Sequence, residues 1–586
     1  MRDRFIAIFL AVACMAVDAA FLERRQNRPK PTFVTLDLET LAVAASLYTG
    51  QGFADPYFSA RTGQTSHLAP VYPFILALTF DLAGGALKGA CWVMYLTYVT
   101  RILEVGVLFL AVREFCFNNI AALLVTLFYA YLPQSIAGGW EAELTALELL
   151  VLFLLALKAV RRGRPSTPFV ISFGGLLTVL VLTNPGAALA ALGSIAVASI
   201  YRYRFVALKP LAALAGCLLI GISPWIFHLY KVSGVFVPVR GNFGLELAIS
   251  NNDCAQSRYT ANWGIGSFTR IHPNVSDESI RRIRAIGDTA FFHEQQRIAI
   301  QWIRKNPRDF LRLTWLHVGN ILHGLSEDKK MQLIAMLLFG LTAAGLLAGK
   351  NRLLLAAIAF GIGIYLLPYA FIQSDSRYFQ PILPFLVFSG FLAIVELAGV
   401  WMPGWFRSEN ARSFDIHIAS PQLVILFATQ IIGVFMAVFL YSTYNRHAES
   451  DVTRRAQVEL YREASLLIRL QTGLKAFNLC ASHALSRAVD EEPISTDCVP
   501  IFTGVRGTYT LVRSHLADTD HAAETASRIS ANDLIAIEAA HEKLRAIADA
   551  VDEPFSEALL ESPCADTERQ RRIRKVLRAL QPGFVD

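Results

Sequence analysis

Apolar runs, each long or nearly long enough to cross a bilayer, recur through the first 442 residues, and they restrict the chain to a helical membrane protein. Eleven can be read, at residues 5–22 and about 94–113, 118–137, 142–160, 167–184, 186–201, 208–230, 331–349, 353–373, 379–400 and 422–442. Only 17% of the 586 residues are charged and 54% are hydrophobic, where a soluble domain carries roughly a quarter charged residues. The run at 5–22 reads either as a signal peptide or as a retained anchor. The poor small-x-small pattern around Ala19 favours the anchor. Residues 71–87, interrupted by Asp81 and a Gly pair, read as a membrane-surface helix.

The loop cations set an orientation. Arg161, Arg162 and Arg164, then Arg202, Arg204 and Lys209, then Lys350 and Arg352, then Arg407 and Arg412 share one side when eleven spans alternate, and that side is expected to be cytoplasmic. The N-terminus is then inside, and segments 23–93, 231–330 and 443–586 lie outside a plasma (inner) membrane. Arg24, Arg25, Arg28 and Lys30 follow the first run and disagree, but four loops outvote them. The net charge of +7 is spread over these loops, which suggests topology rather than nucleic-acid binding.

Two parts follow, a transmembrane core over 1–442 and a mainly helical extracytoplasmic domain over 443–586. Within 231–330, alternating Val235, Val237 and Val239 predict a strand before a Gly-rich turn, and a charged helix over 288–305 is stopped by Asn306-Pro307. The expected fold is therefore all-α and polytopic with a mixed α/β external segment. Cys14, Cys91, Cys116 and Cys217 lie in or beside apolar runs, whereas Cys254, Cys480, Cys498 and Cys564 are in polar regions. In an oxidising compartment Cys480 with Cys498 is the preferred pair.

The first polar loop, residues 36–73, holds Asp37 and Glu39 just ahead of a helix-forming stretch that ends at Gly50. Two residues apart on a helix they point about 200° away from each other, so only one can face a site. Glu39 shares a face with Ala42, Val43 and Ser46, and Asp37 fits an N-terminal helix charge. A second acid cluster, GGWEAELTALELL, has Glu141 and Glu143 at a helix entry and Glu148 about two turns deeper, where a carboxylate is expensive. Both clusters emerge on the same membrane face. Arg377 in QSDSRYFQPILP offers a guanidinium fork matched to phosphate, and Arg240 and Asn242 in VPVRGNFG are further anion candidates. His67, before the Pro70–Pro73 corner, joins the substrate-binding candidates. His228, His272, His317 and His323 share no ligand spacing with it. No CxxC or HExxH pattern supports a metal site, and Asn274-Val275-Ser276 carries no weight as a glycosylation tripeptide.

Three blocks of residues together resemble a known family. ETLAVAASLYTGQGF with TSHLAPVYPFILAL is similar to the first external loop of GT-C membrane glycosyltransferases, nearest to family 39, the dolichyl-phosphate-mannose–protein mannosyltransferase and aminoarabinose-transferase-like group. PWIFHLYKVSGVFVPVRGNFGLELAISNN resembles the Pro-Trp to Asn-Phe-Gly block of bacterial members, and Arg377-Tyr378 before Pro381 resembles their late Arg-Tyr motif. The resemblance covers about residues 1–400. It implies a polyprenyl-phosphate sugar donor at the outer membrane face, an acceptor glycan, lipid or protein, and inversion at the anomeric carbon. By the same resemblance Glu39 or Asp37 is the base, Glu143 or Glu141 the second acid, and Arg377, with Tyr378 beside it, the holder of the lipid phosphate. An assisting divalent metal ion is left open. A carrier or flippase for lipid-linked glycans, and a non-catalytic envelope scaffold, are the competing expectations from other classes.

Overall fold

The computed structural model describes residues 38–401, apart from residues 58–59, 117–118, 133–138, 163–166, 204–207, 259–261, 263–266, 275, 327, 349–351 and 374. Asp37, the runs at 5–22 and 422–442, the Cys480–Cys498 pair and the 443–586 domain lie outside the described residues.

The described chain is built from helices. α1 (Glu39–Tyr48) leads through a long loop to α2 (Val71–Leu82), α3 (Ala86–Cys116), α4 (Asn119–Tyr131), α5 (Ala142–Arg162), α6 (Thr167–Thr183), α7 (Pro185–Tyr203) and α8 (Leu208–Ser233). A lobe follows, made of α9 (Phe243–Ser250), α10 (Ser267–Ile271), α11 (Asp277–Ile286), α12 (Asp288–Lys305) and α13 (Pro307–Leu322). α14 (Lys329–Ala348), α15 (Arg352–Leu366), three 3-10 turns and α16 (Leu383–Trp401) complete it.

The helices fall close to the expected apolar runs, but fewer of them qualify as spans. Among the described residues, five segments are long and apolar enough to cross a membrane: Tyr95–Phe115, Leu211–Ser233, Lys329–Leu347, Arg352–Ala370 and Ser376–Val395. Of the eleven expected, two lie outside the described residues and four, at α4 to α7, are not among these five; α6 and α7 give the shorter apolar helices Phe169–Thr183 and Pro185–Ala198. α4 has 13 residues, which at 1.5 Å per residue is about 20 Å against a hydrocarbon core of about 30 Å. α5 is long enough but carries Glu143, Glu148, Lys158, Arg161 and Arg162, and it is packed among neighbours instead. The 71–87 stretch also divides, α2 ending at Leu82 and α3 beginning at Ala86, and α2 packs on α1 and α3.

The mixed α/β segment is corrected as well. Among the described residues no strand forms, and the β pairing is a single bridge between Ala54 and Gln64. Val237 and Val239 are buried between exposed Phe236 and Pro238, but Val235, which alternation would put on their face, is exposed, and the backbone has no neighbouring strand. The indole Nε1 of Trp225, on α8, donates to the Val239 carbonyl at 2.8 Å and satisfies it without a ladder. The helix over 288–305 forms as α12, and Pro307 opens α13 at a position where its missing N–H costs nothing.

One large core joins the apolar faces of α3 to α8 with those of α14 to α16. Small residues let these helices approach: a Cβ at Gly361 on α15 would collide with Ser194 on α7. A second, smaller core of Tyr57, Leu245, Ile249, Phe268, Ile283, Phe291 and Phe292 holds the lobe and the first loop together. Cys254, in this lobe, is disulfide-bonded.

Candidate functional site

α1 carries the first acid into the protein interior. Its sequence ETLAVAASLY is rich in good helix formers, and all ten residues are buried, so the helix has no solvent face to turn an acid toward. It closes at Gly50, with the Gly50 and Gln51 N–H groups donating to Leu47 and Ser46 carbonyls at 3.1 and 2.8 Å. The Thr40 hydroxyl donates to the Gly139 carbonyl and ties α1 to the Gly139–Trp140–Glu141 turn. Gly139 has φ +96° and a Cβ there would lie 2.7 Å from Leu38 Cδ1, so the turn needs glycine on both counts.

Glu39, in the first turn of α1, is engaged on one oxygen. Its Oε1 accepts from Asn274 Nδ2 at 2.6 Å and faces His272 Nε2 at 3.7 Å. The Asn274 backbone N–H donates to His272 Nδ1 at 3.1 Å. That makes Nδ1 the acceptor and places the proton of the neutral ring on Nε2, toward the carboxylate. The ring lies flat on Phe268, centroids 4.2 Å apart and 8° between planes. Burial, followed by the charges of His67 and Arg377, pushes the His272 pKa well below its usual value, so the contact with Glu39 is a polar one between a neutral ring and a carboxyl group rather than an ion pair. Burial raises Glu39 itself to about 7, opposed by Arg377 and by the Asn274 hydrogen bond.

His67 belongs to the same cluster. Its Nδ1 is 3.1 Å from the Tyr57 hydroxyl, its ring centroid is 6.5 Å from that of His272, and Tyr57 meets both rings edge-on. Burial, then Arg240 and Arg377, lowers the His67 pKa to about 3. The loop that delivers His67 is fixed by Asp288 at the head of α12, whose Oδ2 accepts from Thr65 Oγ1 at 2.6 Å and from the Ser66 N–H at 2.7 Å. At its other end Asp55 accepts from the Thr62 and Gly63 N–H groups, each at 2.7 Å.

The two arginines converge on a third acid. Glu246 on α9 is partly buried and accepts from Gln373 Nε2 at 3.4 Å. Burial raises its pKa, with Arg377, Gln373 and Arg240 pulling it back in that order. Arg377, in the 3-10 turn Ser376–Tyr378, stacks its guanidinium 3.6 Å from the Trp140 ring centroid and donates to the Tyr378 hydroxyl at 2.9 Å. Tyr378 in turn stacks on Tyr369 at 4.7 Å. Arg240 Nη1 lies 3.8 Å from Glu141 Oε1, at a partly exposed rim.

The structure thus groups Glu39, His67, Arg377 and Tyr378 with Arg240 and Glu141 around Glu246. Asn242 sits at the start of α9, where its carbonyl accepts from the Leu245 and Glu246 N–H groups at 3.0 and 3.2 Å. Glu143 is buried elsewhere: the charges it feels are Glu104, Arg101 and Glu141, and its Oε2 has no hydrogen-bond partner. Glu148 accepts from Thr183 Oγ1 at 3.0 Å. The residues that sequence reading passed over are His272, Asn274, Glu246, Gln373, Trp140 and Asp288. Their contacts join positions more than a hundred residues apart in several cases (Asn274 to Glu39 is 235), and no local spacing announces them.

Among the described residues no three His, Cys, Asp or Glu side chains converge as metal ligands. Compared with known proteins, the chain matches no family model, and no curated protein or solved structure is significantly similar to it.

Proposed function

We propose that the chain is an inverting glycosyltransferase that moves a sugar from a polyprenyl-phosphate donor to an acceptor hydroxyl at one face of the membrane, with Glu39 as general base. The observation that carries this reading is a buried carboxyl group, Glu39, poised near neutrality with Arg377 within electrostatic reach, while Arg377 and Arg240 both act on the neighbouring Glu246. Asn274 and the His272 N–H hold Glu39 Oε1 and so fix the orientation of the carboxyl group that would meet an acceptor.

The chemistry follows from those groups. The acceptor hydroxyl gives its proton to Glu39 as its oxygen attacks the anomeric carbon. The bond between that carbon and the phosphate oxygen breaks, and the departing phosphate takes the electron pair. Arg377 and Arg240 balance the charge that develops there. A base in hydrogen-bond reach contributes about 10²–10⁴-fold. The low dielectric that raises Glu39 also keeps His67 and His272 neutral, so neither competes as a cation for the phosphate.

An in vitro transfer assay with purified protein and a panel of polyprenyl-phosphate sugars tests the reading. Transfer from at least one donor is expected, and it should be lost in Glu39→Gln. Activity that survives the amide unchanged would remove Glu39 from the chemistry.

A further inference from the structure

We propose that α13 is an interfacial anchor that lies in the bilayer surface on the same membrane face as the candidate site and takes anionic phospholipid headgroups. It rests on the geometry of the helix and not on the reaction.

The inward face of α13 fixes its depth. Leu313, His317 and Ile321 are buried. His317 Nδ1 lies 3.3 Å from the Ala370 carbonyl, and Phe310 stacks on Phe371 with 13° between planes. Ala370 is the last residue of the candidate span Arg352–Ala370. Just past the other end of α13, Gly324 closes on Phe379, at the start of the candidate span Ser376–Val395, and on Ala335 in α14. Both ends of the helix are therefore held at the level where membrane-crossing segments emerge.

The outward face is apolar, and none of the described residues covers it. Leu311 and Trp315 are 65% and 76% exposed, one turn apart, with Leu316 and Leu322 exposed beside and beyond them. A tryptophan with leucines on one flank of a helix at the membrane boundary is the arrangement that enters the headgroup and acyl boundary. Immediately before and along this stripe come Arg304, Lys305, Arg308 and Arg312, all exposed, against the single acid Asp309, 3.9 Å from Arg312. Long cationic side chains at that depth reach to headgroups while their stems cover apolar surface. The charge complement of such a cluster is an anionic lipid, at about a few-fold in affinity for each cation near the surface.

The test uses the full chain in lipid nanodiscs, with p-benzoylphenylalanine in place of Trp315, irradiated and examined by mass spectrometry. Discs of phosphatidylcholine alone are compared with discs containing one third phosphatidylglycerol, a fraction chosen only as the probe. Adducts at this position to lipid are expected, enriched in phosphatidylglycerol over its share of the disc. Replacing Arg308 and Arg312 together by Gln should bring the phosphatidylglycerol share of the adducts down toward its share of the disc while lipid adducts persist. Absence of lipid adducts, or adducts to protein alone, would overturn the anchor. Lipid adducts in the bulk ratio, unchanged in the double variant, would overturn the anionic preference.

Discussion

Asn274 supplies both the donor on Glu39 Oε1 and the backbone N–H that sets the tautomer of His272, so this one residue orients two groups. Its hydrogen bond also lowers the Glu39 pKa against the larger effect of burial. Asn274→Ala should therefore move the acidic limb of the rate profile upward from about 7 and slow transfer at pH 7, whereas a merely structural loss would lower the rate without moving that limb. Measuring rate against pH for both proteins decides it. Burial has a consequence for stability too. A carboxyl group raised from 4.5 to about 7 favours the folded state below pH 4.5, and that contribution is lost as pH rises through 7. Glu39→Gln removes the titration, so above pH 7 the variant should unfold at higher temperature than the parent, by on the order of 3 kcal/mol. A thermal unfolding series from pH 5 to 8 gives the comparison, and equal curves would contradict the burial argument.

The first loop shows how one side chain at a helix start positions a site residue. Asp288 begins α12 and holds Thr65 and Ser66, next to His67, while Gly244 on α9 packs against the Phe292 carbonyl on α12 with no room for a Cβ. Asp288→Ala should leave the buried Ser66 N–H and Thr65 hydroxyl unpaired, at about 1–3 kcal/mol, and expose the loop to proteolysis before the rest of the chain. Limited proteolysis with the cleavage sites mapped checks this. At this scale the sequence was informative where the signal is local. The helix over 288–305 with its Asn306-Pro307 stop, the helix ending at Gly50, and the acid in the first turn of α1 all follow from residues adjacent in the chain. The failures are non-local. Burial follows the alternation over 236–239 and leaves Val235 exposed, but whether such a pattern becomes a strand depends on a neighbour, and Trp225 takes the carbonyl that a ladder would use. Asn274 could be read only as part of a glycosylation tripeptide, because its partner is 235 residues away. Glu246 lay in a quoted motif without a role until Arg240 and Arg377 came to it through the fold.

At the scale of the molecule, charged groups mark the helices that run inside the bundle. Arg101, Glu104 and Tyr129 form a hydrogen-bonded unit between α3 and α4: Arg101 Nη1 is 3.0 Å from Glu104 Oε2, the Tyr129 hydroxyl donates to the same oxygen at 2.7 Å, and Arg101 Nη2 reaches the Tyr129 carbonyl at 3.1 Å. Glu104 is fully buried. Arg101→Met should strand that carboxylate and cost about 3–5 kcal/mol, and Glu104→Gln in the same chain should recover part of it. Unfolding of single and double variants in one detergent measures the recovery. Hydropathy alone counts runs, and it placed α3 to α8 and α14 to α16 but none of the lobe helices α9 to α13. It overstated the spans because a 13-residue helix and a charge-bearing one read as apolar stretches until packing separates what faces lipid from what faces protein. The most direct test of the whole reading is the rate of sugar transfer from a polyprenyl-phosphate donor by the parent chain and by Glu39→Gln, from pH 5.5 to 8.5. A rate that rises through pH 7 in the parent and falls at least about 100-fold in the variant is expected; a variant that transfers at the parent's rate across that range would contradict it.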